Sequence, residues 1–396
     1  MKQIKIGVVG TCGRGIIAKY LHDKNGRSIV IAGADTNKEA LTKFKAEISP
    51  DAFTTTDYNE MLKIDEIDAI VVTSPDFTHE EYVLKAFKAG KHVFCEKPMA
   101  ITTDGCDKML KAWHESGKQF MIGFNMRYMN MFRVMKDIVD SGTIGEIKVV
   151  WVRHFVGSGG MFYYHDWHAQ RKYSTSLLLQ KASHDIDMIH WITGRYTKRA
   201  MGFGSLDYYG GDKPDNLRCT QCGDKDSCVE YEYKPLRVGN KWEMCAFRKE
   251  IDVEDSSTIL LELDGGIKAT YMQCHYTPDY YRNYTFIGTE GRLENLDDGS
   301  KVSVKLRDRS KRWKNFADQI YEIRPVKGDD EGHNGADSVI CKDFIDMIVG
   351  GKHPVATPLA GRMSVATACA ATYSIRNGNK MVEIPPLPVS IRNKVF

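Results

Sequence analysis

The sequence IKIGVVGTCGRG at residues 4–15 decides the fold. Residues 4–9 are mostly apolar and β-branched, which is typical of a strand buried on both faces of a parallel sheet. Glycines follow at positions 10, 13 and 15, where helical spacing begins. A strand that meets a helix through such a turn lets backbone N–H groups and the helix N-terminus face a phosphate. The stretch therefore predicts the start of a dinucleotide-binding βαβ unit.

The same alternation of short apolar runs and helical stretches continues to residue 123. It is typical of a parallel sheet with helices on both faces. We assign residues 1–124 to a Rossmann dinucleotide-binding domain. Its predicted strands are Ile4–Val9, Ser28–Ala34, Ala69–Thr73 and His92–Cys95, and its predicted helices are Ile16–His22, Lys38–Ile48, His79–Ala89 and Thr103–Ser116.

A different pattern follows, in which longer strand-like runs dominate. An Asp-Gly-Gly sequence at 264–266 separates two of these runs and predicts a hairpin. We expect an α+β domain over residues 125–396 with a mostly antiparallel open sheet, which makes the whole chain an α/β protein. Its predicted elements are helices Tyr128–Asp140 and Ser183–Trp191, strands Glu146–Phe155, Ser257–Leu263, Gly266–His275 and Tyr284–Gly288, and closing helices over 338–349 and 359–377.

Size and charge exclude several classes of protein. The chain has 396 residues, too many for one ordinary core, which agrees with two domains. Its 55 basic and 52 acidic residues nearly balance, which argues against a nucleic-acid partner. The sequence has no run of 18 consecutive apolar residues, so we expect no membrane span. We expect a cytoplasmic protein whose ten cysteines are reduced thiols or metal ligands.

The glycine loop departs from the G-x-G-x-x-G pattern because Cys12 replaces the second glycine. Asp35, which ends the second strand twenty residues after Gly15, supports the assignment. Its carboxylate can bind ribose hydroxyls and repel a 2′-phosphate, so we expect NAD rather than NADP. The alternative is a plain glycine turn followed by a helix-capping Asp. The cofactor residues predicted from these loops are Gly10, Cys12, Gly13, Arg14, Gly15, Asp35, Thr73, Ser74, Pro75 and His79.

The run AGKHVFCEKP at residues 89–98 follows this half of the sheet. Together with the glycine loop and the Ser74-Pro75 loop, it resembles the glucose–fructose oxidoreductase/inositol dehydrogenase (Gfo/Idh/MocA) family. The match is clear over residues 3–128 and looser over 140–195 and the closing helices. It implies that Lys97 lies beside the nicotinamide and the reacting carbinol, and that the Lys97–Pro98 peptide is cis. It also adds Glu96, Lys97 and Asn125 to the cofactor residues.

The resemblance implies a catalytic histidine, and His184 fits that position. The family usually has an Asp four residues earlier, where this chain has Gln180. Lys181 adds a cation close to the expected chemistry. We therefore predict Lys97, His184 and Lys181 as catalytic residues. His184 is the expected general base, and Lys97 orients the hydroxyl, stabilises an alkoxide or helps to relay the proton.

An aromatic and polar loop over residues 163–171 has groups that suit a sugar, because aromatic faces pack on C–H surfaces and polar groups bind hydroxyls. Packing within the loop or a dimer interface would also explain it. His333 either approaches the active site or helps to start the next helix. The predicted substrate residues are Arg127, Tyr164, His165, Trp167, Arg171 and Asp187.

Four cysteines lie in a polar stretch over 208–247 that has the character of an insertion. Their spacing is C-x2-C-x5-C, followed by a fourth cysteine. Four thiolates suit tetrahedral zinc, and a metal would order a segment with little core of its own. An iron–sulfur cluster or unligated thiols are the alternatives. The predicted metal ligands are Cys219, Cys222, Cys228 and Cys245.

The resemblance implies an NAD-dependent oxidoreductase that oxidises a secondary alcohol of a sugar, cyclitol or glycoside by hydride transfer to nicotinamide. Two other functions fit the same residues. One is a redox-neutral glycosidase or lyase that oxidises the sugar transiently; the other is a non-catalytic NAD or sugar sensor. The family also implies a homodimer or homotetramer, with a small carbohydrate as substrate.

Overall fold

The computed structural model describes residues 3–157, 159–231, 243–296, 299–308, 310, 316–324 and 333–392. Its N-terminal sheet has six strands in the order β3-β2-β1-β4-β5-β6, and all their pairings are parallel. This confirms the predicted Rossmann-like sheet. The elements are β1 Ile4–Val9, β2 Ser28–Ala34, α1 Lys38–Glu47, β3 Phe53–Thr55, α2 Tyr58–Leu62, β4 Ala69–Val72, α3 His79–Lys88, β5 His92–Cys95, α4 Thr103–Ser116 and β6 Phe120–Ile122.

Three helices of this half, α1, α2 and α4, begin at a residue whose side chain caps them. The Asn37 side chain accepts a hydrogen bond from the Glu39 N–H at the start of α1, and Thr102 does the same for α4 through the Gly105 N–H. The first predicted helix, Ile16–His22, is instead a 3₁₀ segment over Gly13–Leu21. It starts earlier than predicted because the glycine loop itself turns into it.

The second sheet has nine described strands in the order β14-β13-β12-β11-β7-β10-β9-β8-β15. Its pairings are antiparallel apart from β7 with β10, which confirms a mostly antiparallel sheet. Its elements are α5 Asn130–Asp140, β7 Ile147–Phe155, α6 Arg171–Ser174, α7 Leu177–Thr193, β8 Thr197–Ser205, β9 Ser256–Leu263, β10 Lys268–Cys274, β11 Tyr281–Gly288, β12 Gly291–Leu296, β13 Lys301–Leu306, β14 Gln319–Glu322, α8 Ala336–Gly350, α9 Pro358–Arg376, β15 Val382–Glu383 and α10 Val389–Arg392.

The predicted hairpin joins β9 to β10, with Lys268 opposite Glu262 and positive φ angles of 76° and 73° at Gly265 and Gly266. The predicted closing helices correspond to α8 and α9, and their ends agree within two residues. Strands β3, β6, β8 and β12–β15 are additional to the prediction. None of the helices in the described part of the chain has both the length and the apolar run needed to cross a membrane.

Helix α7 corrects the prediction of a helix over Ser183–Trp191. It begins six residues earlier, because the Ser176 hydroxyl accepts a hydrogen bond from the Leu179 N–H and caps it. Its first three residues, Leu177–Leu179, are all buried. The burial of these side chains therefore stabilises the first turn, which has no amphipathic spacing. His184 consequently lies at the end of the second turn, and not at the start of the helix.

Helix α9 joins the two halves of the molecule. It packs against α7 and β8 and also against α4 of the N-terminal sheet. Arg362, which is fully buried, donates to both carboxylate oxygens of Asp107 on α4, and it also donates to the carbonyls of Pro385 and Pro386. One guanidinium therefore connects three segments.

We predict that Arg362→Met lowers the free energy of unfolding by about 3–5 kcal/mol, because it leaves the Asp107 carboxylate and two carbonyls without their donor. Urea unfolding of the variant and the wild type measures this. The matched control is Arg199→Met, which removes an exposed pair with Glu262 and should cost about 0–1 kcal/mol. Equal losses in the two variants would contradict the assignment.

Candidate active site

The glycine loop and the loop after β4 touch through their backbones. Gly10 has a φ of +86°, and a Cβ placed there would lie 2.4 Å from the Ser74 nitrogen. A Cβ at Gly15 would lie 2.5 Å from the Gly10 oxygen. Only glycine fits such contacts, which leave a backbone cradle at the carboxyl ends of β1 and β4. A dinucleotide fits a cradle at this position in a parallel sheet.

Asp35 holds the glycine loop from the end of β2. Its Oδ2 accepts hydrogen bonds from the Thr11 N–H at 2.8 Å and the Thr11 hydroxyl at 3.1 Å. Its Oδ1 accepts from the Asn37 N–H at 2.9 Å. The carboxylate therefore lies beside the loop, where ribose binding and repulsion of a 2′-phosphate both require it.

Thr73 and His79 connect three loops. The Thr73 hydroxyl donates to the Gly10 carbonyl at 2.7 Å. The two ring nitrogens of His79 lie 2.9 Å from the Ser74 carbonyl and 2.8 Å from the Pro98 carbonyl. The Lys97–Pro98 peptide is cis, as expected. The predicted cofactor residues around Pro75 and Cys12 thus belong to one continuous loop surface.

Three other predicted cofactor residues meet in an ion-paired cluster. Arg14 donates to Glu96 and to Asp337, both at 2.7 Å, and the Asn125 amide donates to Asp337 at 3.0 Å. His333 Nδ1 lies 3.0 Å from Asp337 Oδ2, the oxygen that also accepts from Arg14. Although burial opposes it, hydrogen bonds from His333 and Arg14 lower the pKa of Asp337. Arg14 therefore connects the glycine loop to the start of α8. His333 contacts both Arg14 and Asp337, which lies in the first turn of that helix.

Lys97 and His184 come together through α7. The Lys97 ammonium donates to the Gln180 carbonyl at 3.2 Å, one turn before His184. His184 is buried, and its Nδ1 has no hydrogen-bond partner within the part of the chain that the structure describes. Burial first, and then the positive charges of Lys97, Arg282 and Lys181, hold the pKa of His184 well below its usual value. The imidazole is therefore neutral and able to accept a proton.

Lys181 lies on the same turn, with its ammonium 5.6 Å from the centre of the Tyr163 ring. Burial lowers the pKa of Lys181, and the charge of Arg282 lowers it further. Burial also lowers the pKa of Lys97, to which the Lys181 charge contributes. Arg282 itself is paired with Asp185, at 3.2 Å between Nε and Oδ1. The structure thus places all three predicted catalytic residues in one electrostatically coupled group.

Arg127 and Asp187, both predicted to contact substrate, form a buried ion pair with each other. The Arg127 guanidinium donates to both Asp187 oxygens, at 2.6 and 2.8 Å. It also donates to the Val355 carbonyl. Burial raises the pKa of Asp187 against the opposing charge of Arg127. This geometry favours a structural role that fixes α7, because the hydrogen-bonding groups are satisfied within the protein.

Tyr164 and His165 point into the protein. The Tyr164 ring is fully buried and stacks on Tyr209 at 3.8 Å between ring centres. His165 Nδ1 lies 2.6 Å from the Met244 carbonyl. These contacts favour packing against residues 208–247, which was one of the alternatives for this loop.

Trp167 and Arg171 are more accessible. The Trp167 ring stacks on His168 at 3.6 Å and meets Phe77, from the loop after β4, edge-on at 5.5 Å. Arg171 is exposed and pairs with Glu254 at 3.2 Å. Trp167 therefore lies where the two halves of the molecule meet, whereas the Arg171 side chain lies on the exposed surface.

The zinc prediction is not supported. The four cysteines do line one small cavity of about 20 Å³. Yet in the described ranges, which include all four thiols, no group of three or more His, Cys, Asp or Glu side chains is arranged to hold a metal. Two thiols have other partners: Cys219 contacts His165 Nδ1 at 3.6 Å, and Cys245 accepts from the Phe247 N–H. Residues 232–242 of the predicted insertion lie outside the described residues.

Sequence reasoning missed Asp76, Tyr163 and Arg282 as site residues. Asp76 is buried, and its charge acts on the pKa of Lys97. Its place in the loop after β4 was a usable signal, because ligands lie at that edge of a parallel sheet. Tyr163 lies in the aromatic loop over residues 163–171, and no sequence pattern distinguishes it from the other aromatic residues there. Arg282 lies almost a hundred residues after His184 and belongs to no motif, so only the folded sheet brings it there.

Comparisons with known proteins identify the family of the chain. A family model described as "Oxidoreductase family, NAD-binding Rossmann fold" matches residues 4–124. Its partner, "Oxidoreductase family, C-terminal alpha/beta domain", matches residues 136–384. The Bacillus subtilis protein YteT is 26% identical over 385 residues, which is 88% of this chain and 87% of YteT. Inositol 2-dehydrogenase of Pseudomonas fluorescens is 34% identical over 48% of this chain, a match that spans about half of that enzyme, 54% of its length.

Solved structures show the same fold. Levoglucosan dehydrogenase in complex with NADH and levoglucosan superposes with a TM-score of 0.77 at 17% identity, over 97% of this chain and 100% of that one. Myo-inositol 2-dehydrogenase from Lactobacillus plantarum superposes with a TM-score of 0.70 at 24% identity and the same coverage. Because the two family models together span most of the sequence, this chain belongs to the Gfo/Idh/MocA family of NAD-binding oxidoreductases.

Proposed function

We propose that this protein is an NAD-dependent dehydrogenase that oxidises a secondary alcohol of a sugar, cyclitol or glycoside. Residues 1–124 bind the cofactor in this proposal, and residues 125–396 bind the substrate. The observation that carries it is the hydrogen bond from the Lys97 ammonium to the helix turn of His184, which is buried and neutral. This arrangement places a cation and a base at one position, as alcohol oxidation requires.

NAD, when bound in the glycine cradle, supplies the hydride acceptor. The protein residues handle the proton: neutral His184 takes it from the hydroxyl, and the Lys97 ammonium stabilises the oxygen as negative charge develops. The Gln180 carbonyl fixes the Lys97 side chain. Gln180 cannot supply the carboxylate that the family usually has there, so the site has less negative charge and more cationic character.

A panel of sugars, inositols and glycosides, supplied with NAD and followed by NADH absorbance and product analysis, tests this function. Net NADH formation on sugar addition supports the dehydrogenase. Glycoside cleavage without net NADH would replace it by the redox-neutral glycosidase or lyase. Binding of NAD and sugar without any turnover would replace it by the sensor.

We predict that Lys97→Met lowers kcat by about 10²- to 10⁴-fold, because no ammonium then stabilises the alkoxide. Steady-state rates on the substrate found in the panel measure this. The matched control is Lys88→Met, since Lys88 lies exposed near the end of α3. If Lys97→Met keeps the rate of Lys88→Met, the catalytic assignment fails.

Asp35 provides the test of cofactor choice. Asp35→Ser removes the charge that opposes a 2′-phosphate, so the ratio of kcat/KM for NADP to that for NAD should rise about tenfold or more. Thr11→Val serves as control, because it removes the hydroxyl contact to Asp35 and keeps the carboxylate. An unchanged ratio in Asp35→Ser, or an equal rise in Thr11→Val, argues against the assigned role.

We also propose that two copies of the chain associate through the outer face of the second sheet. Trp151 and Leu260 both stand opposite Thr270, so they share one face of the sheet. Their side chains are 49% and 47% exposed, and Phe203 on the next strand is 61% exposed. A broad apolar surface of this kind is typical of an interface.

Leu260→Lys should weaken this association by about tenfold or more, because each interface would bury unpaired ammonium groups. Light scattering across a dilution series measures the assembly. Val229→Lys is the control, since Val229 is 84% exposed and lies outside the sheet. A wild-type protein that has the mass of one chain at all concentrations would disprove the proposal.

A further inference from the structure

Lys181 has a cation that the proposed reaction leaves unused. Its side chain is partly buried, and its ammonium lies over the face of the Tyr163 ring at 5.6 Å. Within the residues that the structure describes, no carboxylate lies in ion-pair distance of this ammonium and no hydrogen bond engages it. An ammonium has three donors, so this one keeps hydrogen bonds to offer a ligand.

The charges around Lys181 are mainly positive. Lys97, the neighbouring cation, is bound by a carbonyl rather than a carboxylate. Arg282 is the third cation, and Asp185 already pairs with it. Partial burial of two uncompensated ammonium groups is unfavourable, because desolvation costs free energy and like charges repel more strongly at low dielectric. An anionic ligand would relieve both costs.

The acidic side chains nearby do not supply that anion. Burial raises the pKa of Asp76, and the charge of this carboxylate acts on Lys97 rather than on Lys181. Asp166 Oδ1 is engaged with the His168 ring at 2.6 Å. Glu96 is paired with Arg14. The carboxylate whose charge acts on Lys181 is Asp185, and it is paired with Arg282. A direct anionic partner of Lys181 would therefore be a ligand.

The surroundings favour a carboxylate over a phosphate. Arginine forks and free N–H groups at a helix N-terminus bind several phosphate oxygens at once, whereas a lysine acts on a phosphate only as a point charge. Arg282 is occupied by Asp185 and by His154 Nδ1. At the start of α7, the Leu179 N–H is capped by Ser176. A single ammonium matches the single charge of a carboxylate.

We propose that the substrate is a sugar acid, whose carboxylate binds the Lys181 ammonium while its reacting hydroxyl faces Lys97 and His184. This inference rests on the proposed function and names the class of sugar oxidised at that site. Lys181 is then a specificity-determining residue, and proton transfer remains with His184. The protein should discriminate against neutral sugars because they leave the Lys181 charge unpaired.

Carboxylate binding also favours the chemistry. Positive charges from Lys97, Arg282, Lys181 and His333, together with burial, hold the pKa of His184 down. A bound carboxylate offsets part of this positive charge, so it brings the pKa of the histidine closer to the range in which a base works well. The same charge that selects the substrate therefore makes the base stronger when that substrate is present.

The test compares kcat/KM of the full chain with NAD for matched pairs: glucose with glucuronate, galactose with galacturonate, and mannose with mannuronate. We expect at least one uronate to exceed its neutral partner by tenfold or more. Glucose 6-phosphate is included as a phosphate arm. Neutral sugars equal to or better than every uronate, or a preference for the phosphate, would overturn the proposal.

Variants of Lys181 test the residue itself. Lys181→Gln should reduce the ratio of uronate to neutral-sugar kcat/KM by 10- to 100-fold, mainly through KM, and Lys181→Arg should restore part of it. Lys172→Gln is the matched control, since Lys172 also lies over a tyrosine ring, at 4.7 Å from Tyr173, but is exposed. An unchanged ratio in Lys181→Gln would show that Lys181 does not bind the carboxylate.

Binding without turnover separates the two proposals. Thermal unfolding of the NADH-loaded protein should shift upward with at least one uronate, and Lys181→Gln should abolish that shift while Lys172→Gln keeps it. If no sugar is oxidised but this shift is present, the dehydrogenase fails and the carboxylate site stands. If neutral sugars are oxidised and no uronate shifts the transition, the carboxylate site fails and the dehydrogenase stands.

Discussion

The site depends on holding two lysine ammonium groups beside a neutral, buried histidine. These groups oppose one another, because each cation lowers the pKa of its neighbours and burial penalises all of them. Such an arrangement persists only where surrounding structure fixes it. Here the hydrogen bond from Lys97 to the Gln180 carbonyl joins the turn after β5 to helix α7. Helix α7 in turn is held by α9, through the bond from the Ser364 hydroxyl to the Ser183 carbonyl.

Arginines and lysines have different tasks in this protein. The buried and partly buried arginines at the junctions pair with carboxylates, where the planar guanidinium can satisfy two oxygens at once. They connect the glycine loop to α8, residues 125–128 to α7, β11 to α7, and α4 to α9. The two site lysines have carbonyl or aromatic neighbours instead. Their charge is therefore left for ligands. The arginine pairs are Arg14 with Glu96 and Asp337, Arg127 with Asp187, Arg282 with Asp185, and Arg362 with Asp107.

Local patterns predicted well what local interactions determine. The strand–glycine–helix start, the Asp35 position and the hairpin at 264–266 follow from neighbouring residues, and the structure has all three. Lys97 was identified through a motif. Pairings between distant residues were not predictable: Arg127 and Asp187 each resembled substrate ligands, because an unpaired charged residue in a sequence gives no sign of a partner 60 positions away.

The same limit explains the other differences. Tyr164 and His165 have the composition of a sugar site, but their burial depends on residues 208–247, which follow much later in the chain. The start of α7 was missed because Leu177–Leu179 is uniformly apolar, and such a run has no helical period. The cysteine spacing was suggestive of zinc, but spacing alone does not determine how the thiols are oriented.

Helix α7 separates two demands that usually conflict. Its attachment to the protein lies in the Ser176 cap, the Ser183 carbonyl and the Asp187 pair. The proposed function instead assigns substrate binding and proton transfer to the side chains at 181 and 184. Positions 180 and 181 can therefore change without loosening the helix. Under the role proposed for Lys181, divergence among relatives, or redesign in the laboratory, would alter substrate choice within a single helical turn while the scaffold and the cofactor cradle stay as they are.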